Sequence, residues 1–150
     1  MMNTIPHLEI VKFIEDQIIK FEPDRIFTHH PNDLNDDHRI VSNACMVASR
    51  ISQRKPSLKS IKGLYLMEIL SSTEWSYDLG RQGFNPNIFI DISKSITKKE
   101  KALECYRNVM RECPHPRSKE VLRALATFRG SQIGYKYAEA FQICYQRDLY

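Results

Sequence analysis

The chain has 150 residues, 42% of them hydrophobic and 27% charged, with a formal net charge of +4. A chain of this length buries a core without disulfides or a structural metal, and its mild, interspersed charge gives no reason to expect a nucleic-acid partner. Its four cysteines, Cys45, Cys105, Cys113 and Cys144, form no C-x-x-C pair, so reduced thiols in a cytoplasmic protein are expected, with no secretory leader and no membrane segment.

In chain order, Ile10, Val11, Ile14, Ile18 and Phe21 recur at helical spacing, and the spacing predicts a helix from about Leu8 to Phe21 that Pro23 ends. Arg25 to His29 reads as a strand, and the polar run His30 to Asp37 as a loop. A second helix carries Ile40, Val41, Ala44, Val47, Ala48 and Ile51 on one face, with Asn35 or Asp36 as its cap. Ile61 to Ile69 is a second strand. Asn87 to Ile92 is a third, so continuously apolar that burial on both faces is expected. Thr97 to Glu100 has the form of a capping box, followed by an inner face of Ala102, Tyr106, Val109, Met110 and Cys113. Ser118 caps a further helix carrying Val121, Leu122, Leu125 and Phe128, which stops at Gly130. Tyr137, Ala138 and Phe141 suggest a last helix.

Strands alternating with helices predict an α/β, Rossmann-like, largely parallel sheet with flanking helices, and no linker divides the chain. The order opens on a crossover helix with no strand before it, so at least one strand upstream is expected. A sheet without that strand exposes an unpaired edge, which favours a homo-oligomer.

The densest polar constellation is His29-His30-Pro31-Asn32-Asp33-Leu34-Asn35-Asp36-Asp37-His38-Arg39, between a strand end and a helix start. Ligands bind at the carboxyl ends of strands in open α/β sheets, and imidazole and carboxylate are zinc ligands. Turn and cap preferences account for the same Asp and Asn residues, so both readings stand. Pro114-His115-Pro116-Arg117 is either a stiff turn or a restrained histidine beside an arginine that pairs with an anionic or sugar-linked oxygen. Arg129 either pairs with Glu139, lines a cleft or ends a helix. Glu74-Trp75 is either a loop over the site or core filling.

Taken together, Pro23-Asp24-Arg25-Ile26-Phe27-Thr28-His29-His30, Asp33-Leu34-Asn35, Asp37-His38-Arg39, Pro86 with Asp91-Ile92-Ser93, His115-Pro116-Arg117-Ser118, Arg129-Gly130 and Ala138-Glu139-Ala140-Phe141 resemble the LmbE-like (PIG-L) de-N-acetylases, in order and over nearly the whole chain. The resemblance implies that residues 1–150 are the C-terminal portion of a single LmbE-like α/β domain. It implies a zinc cofactor and an N-acetylated amino sugar conjugate as substrate. It makes His38 a zinc ligand and Arg117 and Arg129 substrate contacts. Family members supply a His, an Asp and a catalytic base from an N-terminal H-P-D-D-type motif, which this sequence lacks; His30-Pro31-Asn32-Asp33 belongs to the internal motif instead. Asn35 stands where many members have a histidine, so Asn35 or His115 is expected to donate to the oxyanion or leaving group, and Asp37 to orient an imidazole. In such enzymes the metal polarises the carbonyl and activates water. Either the chain is part of such an enzyme, inactive alone, or it is a non-catalytic remnant or a module completed by another polypeptide.

Overall fold

The computed structural model describes residues 1–77 and 83–147. The elements are α1 (His7–Phe21), β1 (Arg25–His29), α2 (Asp36–Ala48), α3 (Ile51–Arg54), β2 (Gly63–Met67), β3 (Ile88–Asp91), α4 (Ile96–Glu104), α5 (Lys119–Ser131) and β4 (Ala138–Gln146). Hydrogen bonding orders the strands β1-β2-β4-β3. β1 and β2 are parallel, with Phe27 opposite Tyr65 and His29 opposite Met67, whereas β3 and β4 are antiparallel. The result is a mixed α/β fold on a four-stranded, mostly parallel sheet, as the alternation of strands and helices predicts. No helix among the described residues is long and apolar enough to cross a membrane.

The chain divides into two compact units, residues 1–85 with 142–150, and residues 86–141. The core of the first is built by the amphipathic periodicity of two helices. Ile10, Val11 and Ile18 of α1 meet Ala44 and Ala48 of α2, with Ile51 and Ile61 closing the cluster. The alanines let the two helices approach closely. α1 ends at Glu22, in the left-handed region at φ 44°, whose N–H reaches the Ile18 carbonyl at 2.9 Å; Pro23 then blocks continuation. Asn35 is the cap of α2: its side-chain oxygen accepts the Asp37 N–H at 2.9 Å. The expected second helix is broken at Ser49 and Arg50, so Ile51 opens α3 instead of extending α2.

From β3 to β4 several expectations are corrected. β3 is half-exposed to exposed along its length, because it is an edge strand with β4 on one side only. The capping box does not form: Ser95 precedes α4 with no side-chain cap, and Glu100 is drawn onto Arg123, its Oε2 accepting Nη2 at 2.8 Å. α4 ends at Glu104, so Tyr106 and Cys113 are exposed and the buried positions are Ile96 and Glu100. The segment expected as a last helix is β4. Ala140 and Phe141 are buried side by side, so no period of two marks the strand; antiparallel pairing with β3 outweighs the helical spacing of Tyr137, Ala138 and Phe141. α5 is capped by Ser118, whose Oγ accepts the Val121 N–H at 3.2 Å. Gly130 lies inside α5, buried, and Phe128 points outward, 56% exposed.

Candidate active site

The carboxyl end of β1 delivers His29 and His30 to the loop that opens α2, where the densest polar run of the sequence folds around Asp33. Asp33 is 1% exposed. Its Oδ1 accepts the Asn35 N–H at 2.9 Å and the Ser72 hydroxyl, and its Oδ2 accepts the Thr73 hydroxyl at 2.9 Å. His38 Nδ1 lies 3.1 Å from the same Oδ1, with the Ser72 hydroxyl at 3.4 Å. Burial pushes the Asp33 carboxyl up. The hydrogen bonds from Ser72, the Asn35 amide, Thr73 and His38 outweigh burial and hold it below the usual carboxylate range. An ionised carboxylate only accepts, so Nδ1 carries the proton of the neutral His38 ring and Nε2 presents a lone pair. The His29 ring stacks on His38 at 3.9 Å between centroids and 4° between planes.

The loop is also pinned from the Ser/Thr-rich stretch. Ser72 O accepts the Leu34 N–H at 3.4 Å, and Glu74 Oε2 accepts the Ser72 N–H at 3.2 Å. Trp75 is 46% exposed and faces Tyr77 at 6.0 Å, so it fills no core gap. His30 is buried, with Nδ1 accepting the Asn32 N–H at 3.2 Å and its ring 5.9 Å from Phe84, edge to face.

Asp37, expected to orient an imidazole, accepts the Met2 N–H at 2.6 Å instead. Asp33 takes the position on His38. The geometry explains the exchange: Asp37 adjoins His38 on α2 and leaves the helix in another direction, whereas the turn closed by Asn35 N–H folds Asp33 back over the ring. Asn35 spends its side-chain oxygen on the cap, leaving the amide nitrogen as its donor.

The remaining expected residues belong to the second unit. His115 is exposed in the turn before α5, and its Nδ1 accepts the Arg117 N–H at 3.0 Å, which leaves Nε2–H as the donor of the neutral ring. Arg129 donates to Gln132 Oε1 at 3.2 Å and lies over the Phe128 ring. Glu139 pairs with Lys99, not with Arg129.

Among the described residues, no group of three or more His, Cys, Asp or Glu side chains is placed to hold a metal ion. A catalytic zinc takes three protein ligands. The donors among the described residues therefore do not make up a complete set.

Solved structures share this arrangement of elements. The N,N'-diacetylchitobiose deacetylase from Pyrococcus horikoshii matches with a TM-score of 0.66 at 22% identity, over 93% of this chain and 52% of its own. GalB, the 4-carboxy-2-hydroxymuconate hydratase from Pseudomonas putida, matches at 0.68 and 21%, over 95% of this chain and 60% of its own. The conserved protein TT1542 from Thermus thermophilus matches at 0.70 and 21%, over 95% and 61%. The chain has the LmbE-like fold. It spans 52% to 61% of the length of these three LmbE-like structures. No protein-family model and no curated protein matches the sequence.

The buried His30 makes one pH prediction. Burial holds its imidazole below the ordinary value of 6.5, ahead of the opposing pull of Asp33. A depressed folded value means stability that is complete above the unfolded value and lost as pH falls through the folded one. Urea midpoints are therefore expected to drop as pH falls below the ordinary imidazole value, and His30→Gln to flatten that drop. An equal slope in the variant would remove His30 as the cause.

Proposed function

We infer that this chain is the C-terminal portion of a hydrolase that removes the acetyl group from an N-acetylated amino sugar conjugate, with His38 as one ligand of its zinc. The observation that carries this reading is the Asp33–His38 pair. A buried carboxylate fixes Nδ1 of a ring that is itself 18% exposed, at the carboxyl end of a parallel strand. Such an arrangement prepares Nε2 to bind an electrophile. The fold does not choose the reaction, since a hydratase shares it with a deacetylase. The choice of de-N-acetylation rests on the ordered motifs around His38, His115, Arg117 and Arg129.

In this reading His115 offers Nε2–H to the oxyanion or leaving amine, Asn35 its amide nitrogen, and Arg117 and Arg129 bind the conjugate. Asp33 is a positioning residue that keeps the His38 tautomer. In this reading the further zinc ligands lie outside the described residues.

The test is acetate release from N,N'-diacetylchitobiose by this chain expressed with the coding sequence upstream of Met1. His38→Ala is expected to lose metal and more than about 100-fold in turnover. His115→Ala is expected to lose at least about 100-fold while keeping its metal. No acetate release by the zinc-loaded protein, or wild-type turnover by His38→Ala, would overturn the assignment.

A further inference from the structure

The opposite end of the same sheet carries a second polar site. A cavity of about 200 Å³ is lined by Asp24, Arg25, Lys62, Tyr65, Gln146 and Arg147, all in the first unit. Three backbone segments are tied together to make it. Lys62 N–H and Gly63 N–H donate to the Asp24 carbonyl at 2.7 and 3.2 Å, and Arg147 N–H donates to the Lys62 carbonyl at 2.7 Å. The tyrosine is locked as well. Its hydroxyl donates to Gln146 Oε1 at 2.8 Å, and its ring stacks on Phe27 at 5.0 Å. The same ring lies where a side chain on Gly63 would begin: a Cβ there would sit 2.6 Å from it.

The charges in this cavity do not cancel. Asp24 is the one carboxylate among the described lining residues, and it is taken by Lys62 and Lys59, each at 3.1 Å. Arg25 and Arg147 make no ion pair among the described residues. Two guanidiniums on a rigid, hydrogen-bonded frame present planar donors of the kind that grip phosphate oxygens. The cavity lies at the amino end of β1, four residue steps, roughly 13 Å, from His29 at the other end. It is thus separate from the site around His38, and nothing in the proposed hydrolysis uses it.

We propose that Arg25, Lys62 and Arg147 form a phosphate-binding site at the amino ends of β1 and β2. The ligand is a phosphate group, free or as a monoester.

The experiment is titration of the folded chain with sodium phosphate and, in parallel, with glucose 6-phosphate, followed by backbone amide NMR shifts, against sodium chloride at matched ionic strength. Phosphate is expected to shift Arg25, Lys62, Gly63 and Arg147 amides with a Kd on the order of 1 mM or tighter. The double variant Arg25→Gln/Arg147→Gln keeps the side-chain stems and is expected to weaken binding at least tenfold. Lys98→Gln, remote in sequence and exposed, is expected to leave it unchanged. Binding of inorganic phosphate alone identifies the free ion as the ligand, and tighter binding of the sugar phosphate identifies a monoester. Shifts no larger than those in chloride, or equal affinity in the double variant, overturn the proposal. The NMR spectrum itself shows whether each variant is folded.

Discussion

Asp33→Ala is expected to destabilise the chain by about 4 kcal/mol, the largest single-residue loss in the first unit. Four groups converge on this carboxylate: the Ser72 and Thr73 hydroxyls, the Asn35 amide and His38 Nδ1. Removing it leaves those donors without their acceptor in a site where Asp33 itself is 1% exposed. Asp33→Asn keeps one oxygen and the volume, and is expected to cost less, about 2 kcal/mol. Ser72→Ala and Thr73→Ala each remove one neutral donor and are expected to cost about 1 kcal/mol. The depressed Asp33 carboxyl adds a pH signature. Its contribution is complete above the usual carboxylate value and is lost as pH falls through the lower folded one, and Asp33→Asn removes that acid loss. Urea unfolding of the four variants reads the order directly. An Asp33→Ala protein within about 1 kcal/mol of wild type would mean the loop is held by its backbone alone.

Gly130→Ala is expected to destabilise by about 2–3 kcal/mol, against the helix propensity of alanine, which favours the change by about 1 kcal/mol in an exposed helix interior. The reason is the chain entering β4. A Cβ on Gly130 would lie 2.5 Å from the Tyr135 carbonyl oxygen, 2.9 Å from Tyr137 N and 3.0 Å from Lys136 C. All three are backbone atoms, so no rotamer change relieves the contact. The Gly130 carbonyl also accepts the Ile133 and Tyr135 N–H groups at 3.1 and 2.9 Å, which fixes the distance between α5 and the turn. Displacing that turn moves Tyr137, whose carbonyl accepts the Ile92 N–H at 3.0 Å. The thermal midpoint is the readout; a rise would show that the turn yields and that propensity decides the sign.

The first half of the fold is legible in the sequence because its signals are local. The 3.6-residue periodicity of α1 and α2, the cap at Asn35 and the β-branched run at Arg25–His29 each fix a few neighbouring residues, and the elements stand where their patterns put them, except that α2 stops at Ala48, short of Ile51. The second half depends on pairing. Ile88–Asp91 reads as a buried strand by composition, and its place at the sheet edge decides otherwise. Residues 138–146 form a strand because β3 provides a partner along Ile88–Asp91, whereas Tyr137, Ala138 and Phe141 read alone have helical spacing. Glu100 stands at capping-box spacing from Thr97, and a guanidinium 23 residues later claims it.

The site is legible as a cluster and not as a geometry. His38 stands out by resemblance. Asp33, its partner, is hidden by the presence of Asp36 and Asp37 closer in sequence. The signal that finds it is the Asp33-x-Asn35 turn combined with Ser72-Thr73, two hydroxyls 39 and 40 residues away that only the sheet brings to the loop. The arginine-rich cavity at the other end has no sequence signal at all. Arg25, Lys62 and Arg147 come from three separate segments, and strand pairing assembles them.

Asp33 holds the proton of His38 on Nδ1 and leaves Nε2 to accept. Long-range proton–nitrogen correlation of the histidine rings reads this directly at a pH where the ring is neutral. The predicted spectrum places the His38 proton on Nδ1, with Nε2 at the shift of a bare lone pair, and Asp33→Asn redistributes the two tautomers. A His38 ring protonated at Nε2 in the wild-type chain would contradict the account, because the nitrogen offered to a metal would already be occupied.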